Sequence, residues 1–102
     1  MTNGLNLEAL TAYKETVKQN SYNGEYKSGI KAKWIKGTLV EVKTGTLSLG
    51  GEFISHDFSF AIDEPEQLLG RNSKPTPQDY LLGGLAGCMM VTFVAMCSVK
   101  GL

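Results

Sequence analysis

The chain has 102 residues, a length that allows one domain with a modest hydrophobic core. Ten acidic and ten basic side chains give a net charge of zero, which disfavours nucleic acid or an anionic membrane as a partner. Hydrophobic residues make up 42% of the chain and charged residues 20%, a balance that excludes a disordered chain or a coiled coil.

The N-terminus shows no basic region followed by an apolar stretch, so no secretory signal is predicted. We therefore expect a cytoplasmic protein whose cysteines are reduced. The first predicted element is a short amphipathic helix that Asn6 can cap. Its apolar residues recur at helical spacing: Leu7, Leu10, Tyr13 and Val17. A turn over residues 20–24 follows.

Three segments with alternating apolar and polar side chains predict an antiparallel sheet. They cover residues 30–34, 40–44 and 54–62. Lysines cluster near the first two strands and acidic residues near the third, which we interpret as solvated sheet faces rather than a nucleic-acid-binding stripe. His56 falls on the apolar face of the third strand, and we expect it to pack there because the sequence supplies no catalytic partner.

A proline-containing loop over residues 63–77 leads to the last and longest predicted helix. Thr76 can cap this helix, Pro77 suits its first turn, and Asp79 completes an approximate capping box. We expect the helix to run to Val99, a length of about 35 Å.

Residues 80–99 contain no charged side chain, and a stretch of this length is long enough to span a membrane. Its glycines, its cysteines and the lack of an aromatic belt or of a flank with several lysines favour the core helix of a soluble protein, with a membrane tail as the alternative. We expect three strands and a short helix to cover one side of it only. Gly83 and Gly87 would let another backbone approach, so we expect a homodimer with this helix near its two-fold axis, and no membrane partner.

Residues 63–88 read DEPEQLLGRNSKPTPQDYLLGGLAGC. This stretch resembles the OsmC/Ohr family, which includes osmotically induced and organic hydroperoxide resistance proteins. The family combines an Asp-Glu-Pro loop, a Gly-Pro-x-Pro-x-Glu segment, and a helix rich in leucine, alanine and glycine that ends in a cysteine. These features fall here on residues 63–65, on residues 75–79, and on the helix that leads to Cys88. The resemblance covers about residues 25–102, the N-terminal half of the family's fold.

The resemblance implies an OsmC-like α+β fold, completed by homodimerisation around long central helices. With the elements above, the predicted fold is a short N-terminal helix, a three-stranded antiparallel sheet and a long apolar C-terminal helix, in one shortened domain over residues 1–102. The resemblance also implies that Cys88 attacks a small organic hydroperoxide and becomes a sulfenic acid. Asp79 stands at the family's acidic position, where it would orient a neighbouring donor at the dimer interface. Cys88 and Asp79 are therefore the candidate catalytic residues.

The sequence departs from the family's pattern at two functional positions. The later, resolving cysteine has no counterpart, and the activating arginine has none because the only arginine, Arg71, lies in the loop. The thiolate is the reactive form of a cysteine, and Cys88 lies too deep in the helix for the helix dipole to favour it. A lysine would have to replace the arginine, and the candidates are Lys31, Lys33 and Lys36.

Cys97 follows Cys88 by nine residues, which places the two thiols on opposite helix faces and about 13.5 Å apart along the axis. A disulfide between them within one helix is excluded, so resolution would have to come from an external thiol reductant, another subunit or a separate second half. Two cysteines and one histidine are too few for a structural zinc site, and we expect neither a metal nor a cofactor. Since cysteine is often buried and inert, two functions stay open. One is an OsmC-like redox protein that reduces organic hydroperoxides; the other is a non-enzymatic dimeric module that binds a small apolar ligand.

Overall fold

The computed structural model describes residues 1–102 and begins with the predicted helix, α1 (Leu7–Gln19). The side-chain oxygen of Asn6 accepts a hydrogen bond of 3.0 Å from the N–H of Ala9, so the predicted cap is confirmed. A single 3-10 turn, Ser21–Gly24, follows directly. Because α1 contains no buried residue, it contributes little to the hydrophobic core.

Six strands form two separate antiparallel sheets of three strands each. The strands are β1 (Tyr26–Lys27), β2 (Ile30–Lys36), β3 (Leu39–Thr44), β4 (Leu47–Leu49), β5 (Glu52–Ile54) and β6 (Ser59–Ile62). The first sheet has the order β1-β4-β5 and the second the order β2-β3-β6. The mixed α+β class is confirmed, whereas the prediction of one three-stranded sheet is wrong.

The predicted third strand, residues 54–62, is divided between β5 and β6. In the link between them, the hydroxyl of Thr44 donates to the carbonyl of His56 at 2.8 Å and accepts from the N–H of Phe58 at 2.9 Å. A side chain thus replaces part of the strand ladder, and the chain passes from one sheet to the other. His56 lies in this link, where its ring meets that of Phe58 edge-on at 5.0 Å.

β4 and β5 form a hairpin that was not predicted from the sequence pattern. Gly50 and Gly51 join them with φ values of 61° and 81°. Two successive positive φ values define the type I′ turn that suits a two-residue hairpin, and glycine adopts them without strain. The Gly-Gly pair between two short apolar segments was the sequence signal for this hairpin.

The second sheet has one apolar face and one polar face. Ala32 lies opposite Val42, which lies opposite Phe60, so these side chains share one face. Val42 is only 2% exposed and forms the centre of the small core. Lys31 and Lys33 alternate with this row and therefore lie on the other face.

The long helix α2 (Pro77–Val99) is confirmed, and it contacts the rest of the chain mainly near its two ends. At the first end the Tyr80 hydroxyl donates to the carbonyl of Ala61 at 2.6 Å, and the Tyr80 ring lies 4.7 Å from that of Phe60. At the second end the Asn3 side chain donates to the Ser98 hydroxyl at 2.9 Å. Tyr80 and Ser98 lie on the same helix face, five turns or about 27 Å apart.

The expected cover of sheet and short helix along one side of α2 is absent. Leu82, Met89 and Phe93 are 61%, 64% and 70% exposed, and Ser98 is the only buried residue of the helix. The radius of gyration is 18.1 Å, whereas a compact chain of this length has one of about 13 Å. By length and composition α2 would also be able to cross a membrane, a test that core helices of soluble proteins pass as well.

Candidate functional site

Cys88 lies midway along α2, and its side chain is exposed. No atom from another part of the chain lies within 4 Å of the positions that a Cβ would occupy at Gly84 and Gly87, the small residues beside it. The thiol is therefore open to a small molecule or to a second protein surface.

Asp79 performs a structural task at the start of the same helix. Its carboxylate accepts a hydrogen bond of 2.9 Å from the N–H of Thr76, and the Thr76 hydroxyl accepts one of 3.2 Å from the N–H of Asp79. The predicted capping box is confirmed. Nine residues separate Asp79 from Cys88, which is about 13.5 Å along the axis and half a turn around it. One protomer does not bring these two candidate residues together.

The basic side chains proposed to replace the family's arginine do not gather around Cys88. Lys31 and Lys33 extend from the sheet face opposite the one that contacts Tyr80, as the strand register requires. Lys36 and Arg71 line a groove of about 470 Å³ between a β-hairpin and the loop before α2. Lys31 and Lys33 therefore do not extend from the sheet face that meets α2.

Asp63 is the most elaborately bonded side chain in the molecule, and its role was not predicted. Its carboxylate accepts hydrogen bonds from the hydroxyls of Thr38 and Ser73, both at 2.6 Å, and from the N–H groups of Glu64, Arg71 and Ser73. The hydroxyl of Ser73, followed by that of Thr38, holds the pKa of Asp63 well below its ordinary value. With 3% of its surface exposed, this carboxylate organises the loop from within.

The loop around Asp63 fixes the direction in which α2 leaves the sheet. The N–H of Asp63 donates to the carbonyl of Pro75 at 3.2 Å, just before the helix begins. Leu69 adopts a left-handed conformation with φ of 72°, and a Cβ at Gly70 would collide with the carbonyl oxygen of Glu64. The Asp-Glu-Pro segment thus positions α2, and through it Cys88.

Cys97 takes no part in this arrangement. Its side chain is partly buried, and its carbonyl accepts a hydrogen bond of 2.9 Å from the N–H of Leu102 in the final turn. Both cysteines are free thiols. The position of Cys97 on the far side of α2 agrees with the helix geometry that excludes a Cys88–Cys97 disulfide.

The sequence matches no protein-family model and no curated protein. The assignment to the OsmC/Ohr family therefore stays a prediction that rests on the motif over residues 63–88.

Proposed function

We propose that the chain is one protomer of an OsmC-like homodimer in which Cys88 acts as a redox thiol towards organic hydroperoxides. The observation that carries this proposal is an accessible thiol at the centre of a 23-residue apolar helix that its own chain leaves uncovered. A helix that is apolar on all sides needs a second surface, and a cleft between two surfaces is where an apolar peroxide would bind.

The total exposed area supports a large protein–protein interface. The chain exposes 8133 Å², whereas a compact monomer of 11.1 kDa exposes roughly 5,700 Å². If each protomer of a dimer buried the excess of about 2,400 Å², the interface would total about 4,900 Å², within the range of obligate homodimers. The uncovered area is thus of the size that a second copy would bury.

The path of the chain favours protein over lipid as the cover of α2. The N-terminal residues contact the last turns of α2 through Asn3, whereas the sheets contact its first turn through Tyr80. Since α1 connects these two regions, a membrane around α2 would also have to accommodate α1. That helix carries four charged side chains, Glu8, Lys14, Glu15 and Lys18, which are costly in a bilayer.

The proposed reaction follows from the chemistry of an exposed thiolate. The Cys88 sulfur attacks the terminal oxygen of the hydroperoxide, the O–O bond breaks, and the departing alkoxide takes up a proton to leave as an alcohol. The resulting sulfenic acid condenses with an external thiol to a mixed disulfide and water, and a second thiol then releases Cys88. The cation that favours the thiolate would come from the second protomer.

Titration with cumene hydroperoxide, followed by intact mass spectrometry, tests the redox proposal. We expect the wild-type protein to gain one oxygen atom, the Cys88→Ser variant to gain none, and the matched Cys97→Ser variant to behave as the wild type. Absence of the oxygen adduct in the wild type, or its persistence in Cys88→Ser, contradicts the proposed reaction. In that case the proposal of a homodimer would remain, but without a catalytic role for Cys88.

The second candidate function, a non-enzymatic module for a small apolar ligand, is favoured by a different observation. An apolar groove of about 260 Å³ lies between the N-terminal residues and α2, lined by Leu5, Met90, Val91, Val94 and Ala95. Asp79 is meanwhile engaged by the helix cap. Native mass spectrometry that shows a bound lipid-like molecule, together with ordinary thiol reactivity of Cys88, would support this function over the redox one.

A further inference from the structure

A third groove, of about 780 Å³, opens where the two sheets meet. Ten of its thirteen lining residues are polar or glycine, and none belongs to α2. Three lysines line it, one from β1 and the others from β2 and β3: Lys27, Lys31 and Lys43. No carboxylate lines the groove, so its walls carry an excess of positive charge in a chain whose net charge is zero.

Two of these lysines are held in an unfavourable arrangement. Lys31 lies directly opposite Lys43 in the register of β2 and β3. Like charges at directly opposed positions of an antiparallel pair destabilise the sheet. The next pair on the same face shows the favourable alternative, because Lys33 lies opposite Glu41. A bound anion between Lys31 and Lys43 would convert the repulsion into attraction.

Neighbouring acidic residues do not neutralise the groove. Lys43 pairs with Glu41 at 3.8 Å and Lys27 with Glu25 at 3.4 Å, but these side chains are between 43% and 70% exposed, and such surface pairs are weak. Lys31 has no ion-pair partner. At least one unpaired cation therefore faces the groove.

The other polar groups of the groove suit oxygen atoms of a phosphate. Ser28, Thr46 and Ser48 present hydroxyls that donate no hydrogen bond to another part of the chain. A volume of 780 Å³ exceeds what one phosphate fills and lies in the range of small-molecule sites. We propose that this groove binds a small polyanion with two linked phosphate groups, which contacts Lys27, Lys31 and Lys43 together.

Titration of the full-length protein with inorganic pyrophosphate at low ionic strength, followed by calorimetry and by thermal unfolding, tests this proposal. The Lys31→Gln variant removes one of the three lysines of the groove. Its matched control is Lys33→Gln, which removes the same charge from the same face of the same strand but lies outside the groove. We expect the wild type to bind saturably and to melt at a higher temperature with pyrophosphate. Orthophosphate should bind about tenfold more weakly, since it reaches fewer cations.

The two variants should move in opposite directions. Lys31→Gln should weaken pyrophosphate binding about tenfold, yet melt above the wild type without ligand because one repulsion is gone. Lys33→Gln should keep the affinity and melt below the wild type, because a positive charge opposite Glu41 in the strand register is lost. Equal weakening in both variants, or no saturation in the wild type, overturns the proposal. ADP that binds as tightly as pyrophosphate supports an organic diphosphate, and binding of pyrophosphate alone supports the inorganic anion.

Discussion

The dimer can be tested at Phe93, a large apolar side chain on the uncovered part of α2. Phe93 is 70% exposed in one protomer, so its replacement by serine removes almost no contact within the chain. If a second copy covers it, about 140 Å² of phenylalanine surface is buried, which at about 25 cal/mol per Å² stabilises the complex by about 3.5 kcal/mol per copy. Phe93→Ser should therefore weaken a symmetric dimer by several orders of magnitude while leaving the protomer's own contacts intact.

Sedimentation velocity over a range of micromolar concentrations measures this effect. We expect the wild type to sediment as a dimer and Phe93→Ser as a monomer or a concentration-dependent mixture. Phe53→Ser makes the same change at a similar exposure of 78%, in the first sheet and outside α2, and should remain a dimer. A wild-type protein that sediments as a monomer throughout, or a Phe93→Ser variant indistinguishable from it, refutes the reasoning.

Two further predictions concern the elements that position α2. Asp63 has a lower pKa in the folded than in the unfolded chain, so its ionised form stabilises the fold above an unfolded-state pKa of about 3.9, and this contribution is lost as the pH falls below that value. Thermal unfolding should show Asp63→Asn melting below the wild type at pH 7, with a smaller loss on acidification; an unchanged acid response would contradict the role of Asp63. Tyr80→Phe removes the hydrogen bond to the Ala61 carbonyl and should cost about 1 kcal/mol in urea unfolding, against no change for the exposed Tyr13→Phe.

The sequence predicts the helices well because their signals are local. Asn6 and Thr76 cap α1 and α2 as expected, and α2 ends at Val99 as expected. Caps depend on side chains within a few residues of the backbone groups they satisfy, so no knowledge of the tertiary fold is needed. The same holds for strands β2 and β3, whose alternation over residues 30–34 and 40–44 matches their observed register.

The division of the sheet was not predictable from alternation alone. Residues 54–62 alternate without interruption, yet the hydroxyl of Thr44, ten residues or more away in sequence, bonds to His56 and Phe58 and separates β5 from β6. A distant side chain that bonds to the backbone of a strand does not change the alternation of apolar and polar residues in that strand, so the interruption is not visible in the sequence. The five hydrogen bonds of Asp63 were missed for the same reason, since their donors come from residues 38 to 73.

The candidate site at Cys88 shows a different limit of prediction from the sequence. The sequence identifies Cys88 as a thiol of interest, and the structure shows it exposed. In the proposed dimer, the activation of Cys88 would depend on the surface that meets α2, and that surface is not encoded near Cys88 in the chain. The capping role of Asp79 follows from its spacing to Thr76, whereas a role beside Cys88 requires a second protomer.

The glycines of α2 are one reason for proposing a dimer. Glycine in a helix interior costs about 1 kcal/mol relative to alanine, and Gly83, Gly84 and Gly87 lie in its first half without any packing contact. An isolated helix with three such residues is marginal in water, because helices in proteins are stabilised mainly by packing of their apolar face. The three glycines would let the backbone of a second copy approach α2 closely, and the contacts made there would offset the lost helix stability. The apolar edge of the second sheet is open as well, with Ile30 and Trp34 at 63% and 69% exposure, so a second copy would have both a helix and a sheet face to cover.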